Sequence, residues 1–226
     1  MPDAETLPEA IAPQRVETAA SDAATPVRKR PKPGERRVQI LQALAAMLEQ
    51  PGAERITTAA LAARLDVSEA ALYRHFASKA QMFEGLIEFI EQTVFTLVNQ
   101  ITEREGSDAA TRAADTRHAS RVIAMLIQFA EKNPGMTRVM VGDALVFENE
   151  RLQARMNQFF DKIESILKNS LRGVATRNGS GSPTVDAQVS ASVLTAFVVG
   201  RMQRFARSGF KRLPSEHLDA CLAQML

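Results

Sequence analysis

The stretch RITTAALAARLDVSEAALYRHFASKAQMF, residues 55–83, has the pattern of two short helices joined by a tight turn. Leu61 gives the first helix a buried face, and Leu72 and Phe76 do the same for the second. Asp66 breaks the run between them, because aspartate tolerates the left-handed backbone of a turn better than most residues do. A short second helix of this kind can enter the major groove of DNA. We therefore predict a helix-turn-helix unit.

Hydroxyl side chains stand where the predicted helices begin. Thr58 and Ser68 can cap the two short helices, and Ser78 can cap a longer one that follows. The free N–H groups of helix starts favour anions, and hydroxyl and ammonium groups are common partners of DNA phosphates. The small residues early in the second helix allow it to approach base edges. The residues that we expect to contact DNA are Thr57, Thr58, Ser68, Ala70, Ala71, Tyr73, Arg74, His75 and Lys79.

The composition excludes several classes of protein. The chain has 226 residues, with 28 basic and 26 acidic side chains, so its formal charge of +2 indicates no partner by itself. Its one cysteine, Cys221, excludes an internal disulfide framework and a cysteine-based metal site. The most apolar stretch, residues 189–200, is too short and too polar to span a bilayer. Membrane-spanning, collagen-like and coiled-coil classes are therefore not expected.

The first 34 residues differ in composition from the rest. They hold six of the ten prolines and show no apolar period, so we predict a disordered tail over residues 1–34. Six positive charges lie within ten positions at the end of this tail. Beside a helix-turn-helix unit, this cluster is equally consistent with an arm for the DNA backbone and with a solvated linker. Its basic residues are Arg28, Lys29, Arg30, Lys32, Arg36 and Arg37.

The remaining sequence has helical periodicity, and no stretch alternates with period two, so we predict an all-α protein. We assign residues 35–80 to a DNA-binding domain and residues 81–226 to a helical body. Within the body, the sequence predicts a polar loop over residues 103–116, a helix over residues 136–147 and a long helix over residues 149–174.

Motifs of enzymes and metal sites are missing from the sequence. It contains no His-Glu-x-x-His, no Cys-x-x-Cys and no Walker-type phosphate loop. The three histidines, His75, His118 and His217, do not have the helical spacing of a metal site. We therefore expect no enzyme activity, no metal and no cofactor.

The predicted head closely resembles the helix-turn-helix signature of TetR-family regulators. The matching positions are Leu61-Ala62, Val67-Ser68, Leu72-Tyr73, His75-Phe76 and Lys79. Two positions depart from the family pattern: Asp66 stands where glycine is usual, and Ala77 where many members have proline. The resemblance implies a TetR-like dimer, with an N-terminal DNA-binding head and a C-terminal helical body.

The resemblance continues into the body, where TetR-like proteins generally diverge. Residues 35–210 resemble the SlmA family of proteobacterial nucleoid occlusion factors, through segments such as 86–91, 133–135 and 147–148. Membership of that family would imply a homodimer that binds a DNA palindrome, with dimers of dimers as a further option. It would also imply that the DNA-bound protein blocks FtsZ assembly and septum formation over the chromosome. The expected location is the cytoplasm, at the nucleoid.

One aromatic residue of the body points to a partner surface. At 100° per residue, Phe89 lies about 120° from the centre of the apolar stripe of its helix. Met82 and Leu86 are expected to lie beside it and widen the patch. From periodicity alone, packing of Phe89 on a neighbouring helix of the same chain is equally open. The family resemblance favours an FtsZ surface that includes Phe89, Lys132 and Asn133.

A second apolar pattern predicts dimerisation. Ser192, Ala196 and Gly200 recur every four residues and form a groove of small side chains beside Phe197, which permits close helix approach. The helix over residues 149–174 is expected to supply the partner ridge, with an intrachain core as the alternative. The residues predicted at the dimer interface are Phe159, Ile163, Ser192, Ala196, Phe197 and Gly200.

A second function remains open at this point. A TetR-type transcriptional repressor released by a small-molecule ligand would share the head and differ only in the body. Ligand pockets are often lined by aromatic side chains. The chain has no tryptophan and its single tyrosine, Tyr73, lies on the predicted DNA-facing helix, which counts mildly against this alternative.

Overall fold

The computed structural model describes residues 34–50, 56–105 and 112–226, and these residues form nine α-helices and one short 3₁₀-helix without any strand. The prediction of an all-α protein is confirmed. The predicted tail lies outside the described residues, apart from Gly34. The helices are α1 Glu35–Leu48, α2 Thr58–Arg64, α3 Glu69–Tyr73, α4 Lys79–Glu105, α5 Arg112–Lys132, α6 Pro134–Met140, α7 Glu150–Arg177, α8 Pro183–Arg207 and α9 Leu218–Met225. The 3₁₀-helix spans Asp143–Leu145.

Two predicted boundaries in the body are wrong. Residues 103–116 were expected to form a loop, but α4 continues to Glu105 and α5 begins at Arg112. Polar composition alone does not locate these helix ends, because a helix end that extends past the core needs no apolar stripe. The helix expected over residues 136–147 begins at Pro134 and ends at Met140, and Gly142 then adopts a left-handed φ of 82°.

The head consists of α1, α2 and α3 packed around a small core. Ile40 and Leu44 of α1 are buried, as are Leu61 of α2 and Leu72 of α3. Phe76, which follows α3, is also buried. The apolar pattern of residues 55–83 therefore identifies the buried sides of α2 and α3.

The head joins the body where α6 crosses α1. A Cβ atom added to Gly135 would lie 2.0 Å from the carbonyl oxygen of Ala45, so only glycine allows this approach of α6 to the α1 backbone. Thr137 of α6 is buried and donates a hydrogen bond to the carbonyl oxygen of Ala130 at 2.9 Å. The two contacts fix α6 between the head and α5.

Ion pairs line the contact between α4 and α7. The guanidinium of Arg155 binds Glu91 in two places, through Nε at 3.2 Å and through an NH group at 2.6 Å. The hydrogen bond to Glu91 is the main cause that raises the pKa of Arg155 above its ordinary value, while burial acts in the opposite direction. Arg151 pairs with Glu84 nearer to the head. These pairs hold the two helices in one register.

The body core lies between α4, α5, α7 and α8. Phe159 of α7 is buried, with its ring centroid 5.4 Å from Phe95 of α4 and 5.1 Å from Phe160. Leu194 and Val198 enter the same core from α8. Within the described ranges, no helix has the length and apolar character that crossing a membrane would require.

Candidate nucleic-acid interface

The first helix of the helix-turn-helix begins at Thr58, the residue that was predicted to be its cap. Thr57, not Thr58, is the N-cap of α2, and its Oγ1 accepts a hydrogen bond from the N–H of Ala60 at 3.1 Å. Two consecutive threonines satisfy the sequence signal equally well, and only the extended backbone of Thr57 places its hydroxyl over the first turn. Thr57 is exposed and Thr58 is half-buried.

The turn between α2 and α3 depends on Asp66. Its φ of 54° is left-handed, as the sequence predicted for this position. Its N–H donates to the carbonyl oxygen of Ala63, and the N–H of Val67 donates to that of Ala62, at 3.2 and 3.1 Å. This pair of bonds is the Schellman motif, which closes a helix end around a left-handed residue. An aspartate therefore performs here the role that glycine usually has.

Helix α3 is short, capped and exposed along one side. Ser68 caps it as predicted, accepting a hydrogen bond from the N–H of Ala71 at 3.3 Å. Leu72 anchors the helix in the core of the head. The side away from that core carries most of the residues predicted to contact DNA. Ala70, Tyr73, Arg74 and His75 are exposed, and Ala71 is half-buried.

The half-buried hydroxyl of Thr58 joins the two helices instead of capping one. It donates a hydrogen bond to a carboxylate oxygen of Glu69 at 2.6 Å, and the Tyr73 hydroxyl lies 3.5 Å from it. The start of α2 is thereby fixed against both ends of α3. Thr58 therefore helps to orient Tyr73 on the exposed side of α3.

Arg37 belongs to the basic cluster for which an arm and a solvated linker were equally open, and it lies within α1. Its guanidinium donates to the carbonyl oxygen of His75 at 3.2 Å and stacks over the Phe76 ring at 4.2 Å. Arg36 is also helical and donates to Gln39 at 3.0 Å. These two residues belong to the folded head, because α1 already begins at Glu35, before the first apolar residue of its sequence. The other four basic residues of the cluster lie outside the described residues.

Lys79, the first residue of α4, makes an ion pair that the sequence did not predict. Its Nζ lies 2.5 Å from Oε1 of Glu148, and it also lies 5.8 Å from the Phe83 ring centroid. The N–H of Gln81 donates to the predicted cap Ser78 at 3.2 Å. A predicted phosphate contact of the head is thus tied to the segment before α7.

Comparisons with known proteins agree with this geometry. A family model described as bacterial regulatory proteins of the tetR family matches residues 40–86. A second model, SlmA-like and described as a tetracyclin repressor-like C-terminal domain, matches residues 115–225. The nucleoid occlusion factor SlmA of Idiomarina loihiensis is 52% identical over 185 residues, which cover 82% of this chain and 90% of that protein.

The chain belongs to the SlmA family.

A further member, from Vibrio cholerae, is 51% identical over 186 residues, which cover 81% of this chain and 90% of that relative. Solved structures of lower identity share only the fold. The fatty acid degradation regulator FadR of Bacillus halodurans gives a TM-score of 0.67 at 14% identity, over 86% of this chain and 96% of that one. FadR of Bacillus subtilis, solved in complex with stearoyl-CoA, gives a TM-score of 0.63 at 15% identity, over 83% of this chain and 96% of that one. The predicted TetR-like fold is confirmed.

The predicted partner surface of this SlmA-family chain is narrower than expected. Phe89 is 45% exposed, so it does not pack fully on a neighbouring helix of its own chain. Met82 and Leu86 do not widen the patch, because both are buried. Met82 lies seven and Leu86 three residues before Phe89, and both are on the core side of α4. Which side of α4 is the core side depends on the neighbouring helices. The exposed side chains beside Phe89 are polar, including Glu88 and Gln92.

Lys132 and Asn133 lie where α5 gives way to α6. Lys132 is exposed at the last position of α5. Asn133 is half-buried, and its side-chain amide donates to the carbonyl oxygen of Phe129 at 2.8 Å, closing the C-terminus of α5. Asn133 therefore has a structural role in the protein, whatever it contacts besides. Both residues belong to elements that pack against α4.

The predicted dimer residues divide into two groups. Phe159 and Ile163 are buried within the chain's own core, so the prediction that they form the partner ridge is wrong. Ser192 and Ala196 on α8 are exposed, and Phe197 and Gly200 are half-buried. Three valines of α8 are more than half exposed on the same side of the helix. They are Val185, Val189 and Val193.

A cavity of about 540 Å³ opens between α8 and residues 212–217, outside the core of the body. In the part of the chain that is described, no three His, Cys, Asp or Glu residues converge as metal ligands. Family membership points to a DNA-binding protein.

Proposed function

We propose that the protein is a nucleoid occlusion factor, a homodimer that binds a palindromic duplex and, when bound, blocks FtsZ assembly over the chromosome. The observation that carries the proposal is the capped, exposed α3 on a head joined to an SlmA-like body. The name of the relatives supplies the nucleoid occlusion role. The FtsZ partner follows from the family resemblance. The protein would act in the cytoplasm, at the nucleoid.

In this proposal α3 enters the major groove. Ala70 and Ala71 are small enough to let the helix approach base edges, and Arg74 and His75 supply hydrogen bonds to bases or phosphates. Thr57, Ser68, Tyr73 and Lys79 contact the backbone, with Thr58 orienting Tyr73. Arg37 supports the end of α3 through the His75 carbonyl.

A palindrome requires two heads related by a twofold axis. We assign the dimer interface to the outer face of α8, which we define as Val185, Val189, Ser192, Val193, Ala196, Phe197 and Gly200. The three valines of this face are more than half exposed, and contiguous apolar surface of this kind often marks an interaction site. The spacing of the small residues allows two copies of α8 to approach closely. This face supports an isologous contact between two identical helices.

Lys79 provides a test of DNA binding that does not need the base sequence. Because a phosphate contact acts on every sequence, Lys79→Ala should weaken binding to specific and random duplexes alike. It should also lower the slope of log K against log salt by about one per head. Fluorescence anisotropy at several salt concentrations measures both quantities.

Lys162→Ala is the matched control, because Lys162 is an exposed lysine of α7. It should leave the slope unchanged. Equal slopes for the wild type and both variants would contradict the phosphate role of Lys79.

Thr57 is tested by comparing Thr57→Ser, which keeps the hydroxyl that caps α2, with Thr57→Ala, which loses it.

Phe89 tests the partner surface separately from DNA binding. Phe89→Ala should retain DNA affinity and thermal stability, because the ring is largely outside the core, and should lose antagonism of FtsZ. Gln92→Ala, one turn along the same exposed side of α4, is the control. FtsZ polymer recovered by sedimentation in the presence of GTP and DNA is the measurement. Full antagonism by Phe89→Ala would place the FtsZ surface elsewhere.

A further inference from the structure

The ion pair between Lys79 and Glu148 joins a residue of the proposed DNA-binding site to a residue of the body. Lys79 stands at the start of α4, where the proposed function puts a DNA phosphate. Glu148 belongs to a segment that contains the 3₁₀-helix and ends where α7 begins. The ammonium nitrogen is 2.5 Å from the carboxylate oxygen, so a phosphate oxygen cannot occupy the same position.

The two partners are buried to different degrees. The Lys79 side chain keeps 32% of its surface exposed, whereas the Glu148 side chain keeps 10%. A phosphate can therefore reach the ammonium group from solvent. If the ammonium group turns to that phosphate, Glu148 is left as a nearly buried carboxylate without its cation, which is unfavourable. Glu148 must then move outward into water.

The segment around Glu148 has a firm base and an exposed tip. Ala144 and Leu145 are buried, while Val146 and Phe147 are both more than half exposed. Gly142, with its φ of 82°, begins the segment, and Glu148 donates its backbone N–H to the carbonyl oxygen of Leu145 at 3.0 Å. Outward movement of Glu148 therefore changes the tip, residues 146–148, and leaves the base in the core.

We propose that Glu148 competes with DNA phosphate for Lys79, so that binding of duplex DNA releases Glu148 and moves the exposed tip of residues 146–148. DNA binding at the head thereby changes the surface of the body, because phosphate replaces Glu148 as the ion-pair partner of Lys79. This exchange rests on the proposed phosphate contact of Lys79. Glu148 acts through Lys79 and touches no DNA itself, so it is a positioning residue.

The test is a double-mutant cycle with a 30-base-pair duplex of random sequence, since phosphates alone are involved. Glu148→Gln removes the competing charge and should tighten binding by about fivefold, the upper range for a partly exposed ion pair. In a Lys79→Ala background the same substitution should have no effect. Glu84→Gln is the control, because it removes the Arg151 pair between α4 and α7 and involves no proposed DNA contact.

Three results would overturn the competition. They are equal gains from Glu148→Gln and Glu84→Gln, a gain that persists without Lys79, and weaker binding by Glu148→Gln. The last would mean that Glu148 orients Lys79 for the phosphate. Failure of the wild-type protein to bind the duplex at all would instead contradict the proposed DNA-binding function.

Amide hydrogen exchange tests the release of the tip directly. In the wild type, DNA should accelerate exchange at residues 146–148, and Glu148→Gln without DNA should already show the faster exchange. Residues 144 and 145 should stay protected in both. Unchanged or slower exchange at the tip on addition of DNA would overturn the proposal.

Discussion

Helices α7 and α8 are both long and lie against each other, yet they use their apolar residues differently. The apolar stripe of α7, which includes Leu152, Phe159 and Leu167, is buried within the protomer's own core. Helix α8 has a buried side, with Leu194 and Val198, and also the apolar outer face defined above. One helix completes a core, and the other has apolar surface beyond what its own chain covers.

This difference shows what a single sequence can and cannot decide. A stripe with a period of 3.6 residues states that a helix has a buried face, but not whether the covering surface comes from the same chain or from another. Phe159 and Ile163 carried the same signal as the α8 groove and were assigned to the wrong surface. A helix that is apolar on two sides is the better indication of a partner, because one chain rarely covers both.

The most severe way to disrupt α7 is to remove its central ring. Phe159→Ala should lower the free energy of unfolding by about 3–5 kcal/mol, through lost burial and the cavity left beside Phe95. Urea denaturation at fixed protein concentration measures the change. Val193→Ala on the outer face of α8 is the control and should change protomer stability by less than about 1 kcal/mol. Similar losses in both would contradict the distinction between the two helices.

Charges on the outer face of α8 should separate the protomers without unfolding them. The double variant Val189→Glu and Val193→Glu places two carboxylates in the proposed contact, so the dimer dissociation constant should rise about a hundredfold or more. Sedimentation equilibrium gives the constant, and circular dichroism reports the helix content, which should not change. Gln158→Glu, at an exposed position of α7, should leave the dimer intact. A dimer that survives the double variant must use another surface.

Substitutions at Gly200 test the outer face of α8 with a smaller expected effect on the dimer. Nothing lies within 4 Å of a Cβ added at this position, so the protomer has room for a larger side chain. Gly200→Leu should weaken the dimer about tenfold by separating the helices, and should not destabilise a protomer. Gly200→Ala should raise helix stability by about 0.5–1 kcal/mol. Sedimentation equilibrium measures dimerisation of both variants, and thermal unfolding measures their stability. A loss of protomer stability in Gly200→Leu would show that the protomer has no room for a larger side chain at this position.

Much of the head could be predicted because its determinants are local. The apolar spacing, the cap at Ser68 and the left-handed residue Asp66 each act over a few residues of chain. The errors there are small, as with Thr57 and Thr58, where two neighbouring hydroxyls offer the same cap. The all-helical body follows from periodicity in the same way.

The relations between distant segments could not be predicted. The Lys79–Glu148 and Glu91–Arg155 pairs join residues more than sixty positions apart, and no spacing rule connects them. The burial of Met82 and Leu86 depends on which helices surround α4. Gly135 fits against α1 only because that helix passes within contact distance of its backbone. These features require the packed structure.

Blocking of FtsZ assembly by the DNA-bound dimer is the activity that the proposed function requires. FtsZ with GTP is sedimented with and without this protein, in the presence of a palindromic duplex that the protein has selected from a random pool, or of the same duplex scrambled. A nucleoid occlusion factor should cause loss of FtsZ polymer that depends on the selected duplex. Tight binding of that duplex with no loss of polymer would contradict it and favour a TetR-type repressor released by a ligand.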